Sequence, residues 1–261
     1  MIDAKFAERV AAALPRGASV IEIGAGTGTL TAALATRARS VTALEIDLDL
    51  AEILRDRFSA ASDEVRIVAA DALAFEFEAT LKAQQRPRAL AGNLPYYITT
   101  PLIERALRCA DWWDAAVLMV QREYGRRLTA APKTPDYGSL TVFVGHYCRC
   151  ETLFDIGAAG FYPRPNVASA VVRLAPRADR LVGVPDERLL LWLIRAAFAQ
   201  RRKMFAKSAA SGSPERKARL AIERAMRAAG VPESARAEEL ALDDFRRVAR
   251  ALAEAGFAAP G

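Results

Sequence analysis

Over the first two-thirds of the chain, short apolar runs rich in β-branched residues alternate with stretches of helical periodicity. Residues 19–23, 40–45, 65–69, 89–91 and 115–120 read as strands. Between them, 30–37, 48–58 and 100–109 carry apolar residues three and four apart, the spacing of a helix that buries one face. Strands and helices in alternation predict βαβ units, hence a mostly parallel sheet covered on both sides. The period then changes. Residues 147–154 and 168–174 read as two more strands, joined by the Pro- and Gly-rich stretch 157–165 and close enough to pair antiparallel at the sheet edge. Beyond residue 185 only helical periodicity remains, at 189–198, 218–229 and 242–255. The expectation is an α/β fold, a Rossmann-like sheet of seven strands over residues 1–178, followed by a small all-α domain over 179–261, with 176–185 as the linker.

Composition narrows the classes. With 261 residues and 52% hydrophobic content, the chain is neither a disulfide-stapled mini-protein nor a disordered one. A formal charge of +6 comes from 37 cations, only six of them lysines. Guanidinium forks suit phosphate, although an Ala- and Arg-rich background accounts for the same numbers. The three cysteines, Cys109, Cys148 and Cys150, form no CxxC pair and point to a reducing compartment. If 146–150 is a strand, His146, Cys148 and Cys150 share one face, but no carboxylate with ligand spacing accompanies them, so no metal is expected. The sequence shows neither an apolar stretch of membrane-spanning length nor a leader pattern, and a cytoplasmic location is expected.

The candidate chemistry lies at the strand ends. The first strand runs into Glu22-Ile-Gly24-Ala-Gly26-Thr-Gly28, where glycines let the backbone turn sharply and let a ligand approach closely. Thr29 stands where a dinucleotide fingerprint needs its third glycine. Glu45 closes the second strand 21 residues after Gly24, the place for a carboxylate that accepts from both ribose hydroxyls of a nucleoside. Asp71, at the third strand end, could accept from an adenine amine. Each acid alone is as well explained as a solvated loop residue or a cap.

The fourth strand ends in Asn93-Leu94-Pro95-Tyr96-Tyr97. The Asn93 side-chain oxygen and the Leu94 carbonyl can accept both N–H bonds of an exocyclic amine while the Tyr96 ring stacks on the base. Such acceptors keep electron density on the nitrogen as it attacks an electrophilic carbon. No strong base is needed, because the proton becomes acidic once the amine is alkylated.

Taken in order and spacing, Glu22-Ile-Gly-Ala-Gly-Thr-Gly28, Glu45-Ile-Asp47, Asp71-Ala72 and Asn93-Leu-Pro-Tyr-Tyr-Ile-Thr-Thr-Pro-Leu102 resemble the S-adenosylmethionine-dependent ribosomal RNA adenine dimethyltransferases of the KsgA (RsmA) family. Residues 161–174, 197–204 and 236–240 continue the match over essentially the whole chain. The resemblance implies a class I methyltransferase sheet and S-adenosylmethionine as cofactor. It implies a cofactor site made of Glu22, Gly24, Gly26, Gly28, Glu45, Ile46, Asp71, Ala72 and Asn93. It also implies a target-adenine site made of Asn93, Leu94, Pro95 and Tyr96, with Phe161 on the other face of a flipped-out base. The activity implied is N6,N6-dimethylation of two adjacent adenines near the 3′ end of small-subunit (16S) ribosomal RNA. The partner implied is the 30S particle, met by a monomer during ribosome biogenesis.

Two departures stand out. The family begins with a Gln-Asn-Phe-Leu segment over the cofactor, whereas this sequence opens at Met1-Ile2-Asp3; three expectations stay open, that the chain is shortened, that its start is misassigned, or that it binds cofactor weakly. Ala168 replaces a commonly acidic residue.

Beside a nucleobase pocket, Arg126, Arg127, Arg164, Arg201, Arg202 and Lys203 read as phosphate contacts that position RNA without reading its sequence. Taken singly, each pair also fits a solvated face or a helix-dipole partner. Three other readings stay open: an Erm-like enzyme acting on large-subunit RNA, a non-catalytic ribosome assembly factor, and a nicotinamide-dependent oxidoreductase. Thr29 and the amine clamp count against the last.

Overall fold

The computed structural model describes residues 3–61, 63–157, 160, 167–214 and 217–260. Its central feature is a seven-stranded sheet of order β3-β2-β1-β4-β5-β7-β6. The strands are β1 (Ser19–Ile23), β2 (Ser40–Glu45), β3 (Val65–Ala69), β4 (Arg88–Asn93), β5 (Ala115–Gln121), β6 (Cys148–Ile156) and β7 (Ser169–Pro176). The first five are mutually parallel. β1 is buried at every position, as expected of a parallel strand covered on both faces.

Register decides where the chemistry goes. Ile23 pairs with Leu44 on one side and Gly92 on the other, so β1, β2 and β4 end level. β7 runs antiparallel to both β5 and β6, with Gln121 opposite Ser169. An antiparallel strand begins where its parallel neighbours stop, so Ser169 sits on the same rim as Asn93.

Helices α1 (Ala4–Ala12), α2 (Thr29–Ala35), α3 (Leu48–Arg57), α4 (Phe77–Ala83) and α5 (Thr99–Arg108) belong to the sheet unit. α1 and α4, of nine and seven residues, are not among the helices expected from the sequence. The core of this unit includes Val10, Val20, Leu30, Leu34, Ala91, Val117 and Val171.

The chain divides into two compact units. One holds residues up to Arg126 together with Cys148–Pro176; the other holds Arg127–Tyr147 and everything from Arg177 onward. The first break falls inside α6 (Arg122–Thr129). The second lies close to the expected boundary at 178, but residues 127–147 depart from the expected division. Packing is the reason. Tyr137 and Val142 join the same core as Leu189, Leu193, Phe198, Phe205 and Phe245, and the Tyr137 hydroxyl donates to the Leu240 carbonyl at 2.7 Å. That core is built from α7 (Ser139–Tyr147), α8 (Glu187–Phe198), α9 (Phe205–Ser211), α10 (Ala218–Ala228) and α11 (Leu242–Glu254).

The expected strand over 147–154 is also shifted, because Tyr147 ends α7 and β6 starts at Cys148. His146 and Cys148 therefore do not share a strand face. The buried His146 ring bonds Glu187 Oε1 through Nε2 at 3.0 Å, and the Arg246 guanidinium lies 3.5 Å from its Nδ1. Among the described residues, no helix is long and apolar enough to cross a membrane.

Candidate active site

The glycine turn after β1 hangs from the end of β2. The Gly24 and Ala25 amides both donate to the Leu44 carbonyl, at 3.0 and 2.9 Å. The Glu45 carboxylate takes the Gly26 amide at 2.7 Å on Oε2 and the Asp47 amide at 3.0 Å on Oε1. Glu45 thereby fixes the loop and keeps lone pairs for further donors. Gly26 and Gly28 have φ of +56° and +78°, the left-handed region. A Cβ on Gly26 would meet nothing within 4 Å, so the loop presents an open cradle there. A Cβ on Gly28 would lie 2.6 Å from Leu54 Cδ2 and 3.0 Å from Phe58 Cε2. The end of α3 thus supports the loop from behind, and Arg57 adds a hydrogen bond to the Thr27 carbonyl at 2.5 Å.

Glu22 lies beneath this turn, fully buried. Thr31 Oγ1 donates to its Oε2 at 2.6 Å, while Oε1 finds no partner in the structure. Burial, with the Glu45 charge adding, pushes its pKa up to about 8, so the carboxyl is neutral at pH 7.

The remaining cofactor candidates follow along the rim. Ile46, directly after Glu45, is 67% exposed, an apolar side chain left in the open beside a carboxylate. The Ala70 amide donates to the Glu45 carbonyl at 2.9 Å, which brings Asp71 and Ala72 alongside. Asp71 is exposed, and its Oδ1 accepts from the Leu73 amide at 2.8 Å. One carboxylate oxygen therefore holds the turn, and the other stays available.

Asn93 is the last residue of β4, opposite Met119 of β5. The Leu94 amide donates to the Met119 carbonyl at 3.1 Å and its side chain is buried, so the turn is pinned to the sheet. The Pro95 carbonyl accepts from the Ile98 amide at 3.2 Å and from Thr99 Oγ1 at 3.0 Å. Those bonds close the 3₁₀ turn Tyr96–Ile98. No hydrogen bond within the described residues engages the Asn93 side chain or the Leu94 carbonyl, leaving both as acceptors. The Tyr96 hydroxyl lies 2.9 Å from the Ser169 hydroxyl. Seventy-three residues separate that pair, and nothing in the sequence signals it. A Cβ built on Gly24 would come 4.0 Å from the Asn93 carbonyl, so the cradle and the amine clamp adjoin. Phe161 and Arg164 lie outside the described residues.

The basic candidates separate. Arg126 is exposed on α6 in the sheet unit, whereas Arg127, Arg201, Arg202 and Lys203 belong to the helical unit. Arg201 is held within its own unit. Its guanidinium donates to the Pro135 and Tyr137 carbonyls at 3.2 and 3.0 Å and pairs with Glu238 at 3.3 Å, acting as a strut within its own unit. Arg202 and Lys203 are exposed, and their side chains have no partner among the described residues.

A family model described as ribosomal RNA adenine dimethylase matches residues 4–254. The chain is 39% identical over 258 residues to Ribosomal RNA small subunit methyltransferase A of Geobacillus thermodenitrificans, covering 97% of this chain and 88% of that protein. It is 37% identical over 261 residues to the protein of the same name from Moorella thermoacetica, covering 97% and 89%. Among solved structures, a 23S rRNA methyltransferase, ErmE, aligns over 96% of this chain and 98% of its own, with TM-score 0.70 and 29% identity. A dimethyladenosine transferase from Plasmodium falciparum, at 21% identity, shares the fold with TM-score 0.84 over 98% of both chains.

Proposed function

The chain belongs to the ribosomal RNA adenine dimethylase family, and from that premise we propose how its strand-end site works and on which RNA. It is an S-adenosylmethionine-dependent rRNA adenine dimethyltransferase. Its substrate is small-subunit rRNA, at two adjacent adenines near the 3′ end, met in the cytoplasm within the small-subunit particle by a monomer of this chain.

The residues present fit the cofactor. The Gly26 cradle is open where any larger residue would fill it, the Glu45 carboxylate has lone pairs to spare, and one oxygen of the buried Glu22 carboxyl lacks a partner. Gly24, Gly26 and Gly28 with Glu22 would hold the methionine portion, Glu45 the ribose, and Ile46, Asp71 and Ala72 the adenine. Bound there, S-adenosylmethionine supplies a methyl group on a sulfonium as the electrophile.

The chain's own residues hold the nucleophile. Asn93 and the Leu94 carbonyl accept the two amine N–H bonds and so aim the nitrogen lone pair. Pro95 stiffens the turn, and Tyr96 stacks on the base with its hydroxyl steadied by Ser169. Phe161 would cover the opposite face. A clamp with two acceptors also readmits a monomethylated amine, which still has one N–H to give. Arg126, Arg127, Arg202 and Lys203 would hold phosphates.

The single observation that carries this reading is the adjacency of cradle and clamp, with the Gly24 Cβ position 4.0 Å from the Asn93 carbonyl. To test it, unmethylated small and large subunits are offered separately to the enzyme and dimethyladenosine is measured by mass spectrometry. Product on the small subunit alone, abolished by Asn93→Ala with folding intact, is expected. Product on the large subunit instead would reassign the substrate to the Erm-like reading; product on neither would leave the assembly-factor one.

A further inference from the structure

We propose that Tyr97 is the stacking platform for the base next to the adenine held by Asn93 and Tyr96, a substrate contact that rests on the function proposed above and extends it. Tyr97 is 86% exposed, the most exposed of the large apolar side chains in the described structure. No hydrogen bond, ion pair or ring contact engages it there. Its backbone is nevertheless held on a stiff turn, through the Leu94 amide on Met119, the Ile98 amide and Thr99 hydroxyl on Pro95, and the buried Thr99. An aromatic ring presented to water on a rigid mount is built to meet something.

Turn geometry says which base it meets. Tyr96 and Tyr97 are consecutive residues of a 3₁₀ turn, so their side chains diverge by about 120° and cannot face one base together. Tyr96, tied to Ser169, is committed to the pocket. Tyr97 therefore faces away from the held base, where the strand continues. A base drawn from its stack leaves its neighbour with one bare face, and an aromatic ring beside the pocket covers it.

The surroundings suit a nucleic acid strand. Tyr124 of α6 bonds Thr100 of α5 through their hydroxyls at 3.1 Å, which places α6 beside this turn. Arg122 and Arg126 lie one helical turn apart on α6, exposed and without an ion pair among the described residues. Exposed guanidinium groups beside a lone aromatic ring match a path for backbone and base, whereas a protein partner would be met by a broader apolar patch.

The test uses the full chain and a short single-stranded RNA with two adjacent adenines, the flanking one replaced by fluorescent 2-aminopurine. Wild type should bind and quench the probe. Tyr97→Ala should bind about tenfold more weakly, the scale of one base–aromatic stack, and lose the quenching. Tyr97→Phe should keep both, and both variants should melt as wild type does. On unmethylated small subunits, Tyr97→Ala should lower dimethylation at both adenines and raise the monomethylated fraction. Wild-type binding and quenching in Tyr97→Ala overturns the proposal, as does a lowered melting temperature, which would make the ring structural. A defect on the particle but none on naked RNA would assign the ring to a protein partner and also overturn it. If wild type itself leaves the small subunit unmethylated, the proposed function has failed; if wild type methylates and Tyr97→Ala matches it, the stacking role alone has failed.

Discussion

Alanine at Gly28 and alanine at Gly26 should damage the protein in opposite ways. Both positions have left-handed backbone, which costs an L-residue about 1–2 kcal/mol. At Gly26 the cost ends there, since a Cβ meets nothing within 4 Å. At Gly28 the Cβ would sit 2.6 Å from Leu54 Cδ2 and 3.0 Å from the Phe58 ring. Leu54 is 1% exposed and cannot swing into solvent, so α3 or the loop must move. Overpacking of this kind costs about 1–3 kcal/mol. Gly28→Ala should therefore lose roughly 2–5 kcal/mol and melt about 4–20 °C lower, against roughly 2–8 °C for Gly26→Ala. Calorimetric titration of S-adenosylmethionine should show the reverse order. The Gly26→Ala methyl occupies space that is open in the structure and should weaken cofactor binding. Gly28→Ala, where folded, should bind better than Gly26→Ala. Equal melting temperatures for the two variants would refute the view that α3 supports the loop.

Glu22 predicts a pH dependence. Its folded pKa, raised from the ordinary 4.5 to about 8, means the folded state holds the proton more tightly than the unfolded one, so stability falls as pH rises across that window. Glu22→Gln should remove that contribution, which has a limiting slope of about 1.4 kcal/mol per pH unit. Denaturation curves of the two proteins that stay parallel between about pH 5 and pH 8 would contradict it. Arg201 and Arg202 should separate stability from RNA binding. Arg201→Ala loses two carbonyl bonds and a half-exposed ion pair and should cost about 1–2 kcal/mol in urea melts. Arg202→Ala should leave stability within about 0.5 kcal/mol of wild type. It should weaken RNA binding and lower its salt slope by about one. A reversed pattern would restore Arg201 as the phosphate contact.

Much of the site was legible because it is written locally. Glycines at a strand end, an acid closing the next strand and Asn-Leu-Pro-Tyr after the fourth are short segments whose placement follows once the strands are recognised. β1, β2 and β3 fall where their short β-branched runs predict, although β3 lies at the sheet edge with Arg66 exposed. The helix α7, rich in β-branched and aromatic residues, shows no strong helical signal in its own sequence.

The sequence by itself determined the alternation of elements, the sheet, and which chemical groups stand at its strand ends, because periodicity and turn residues act over a few positions. Only the tertiary structure decided what joins residues far apart in the chain. It ties Tyr96 to Ser169, sets Leu54 and Phe58 against Gly28, and commits Arg201 to the Pro135 and Tyr137 carbonyls. It also gathers residues 127–147 into the helical unit through the buried Tyr137. Those outcomes depend on which surfaces and donors meet when the chain closes on itself, and no local pattern carries that information.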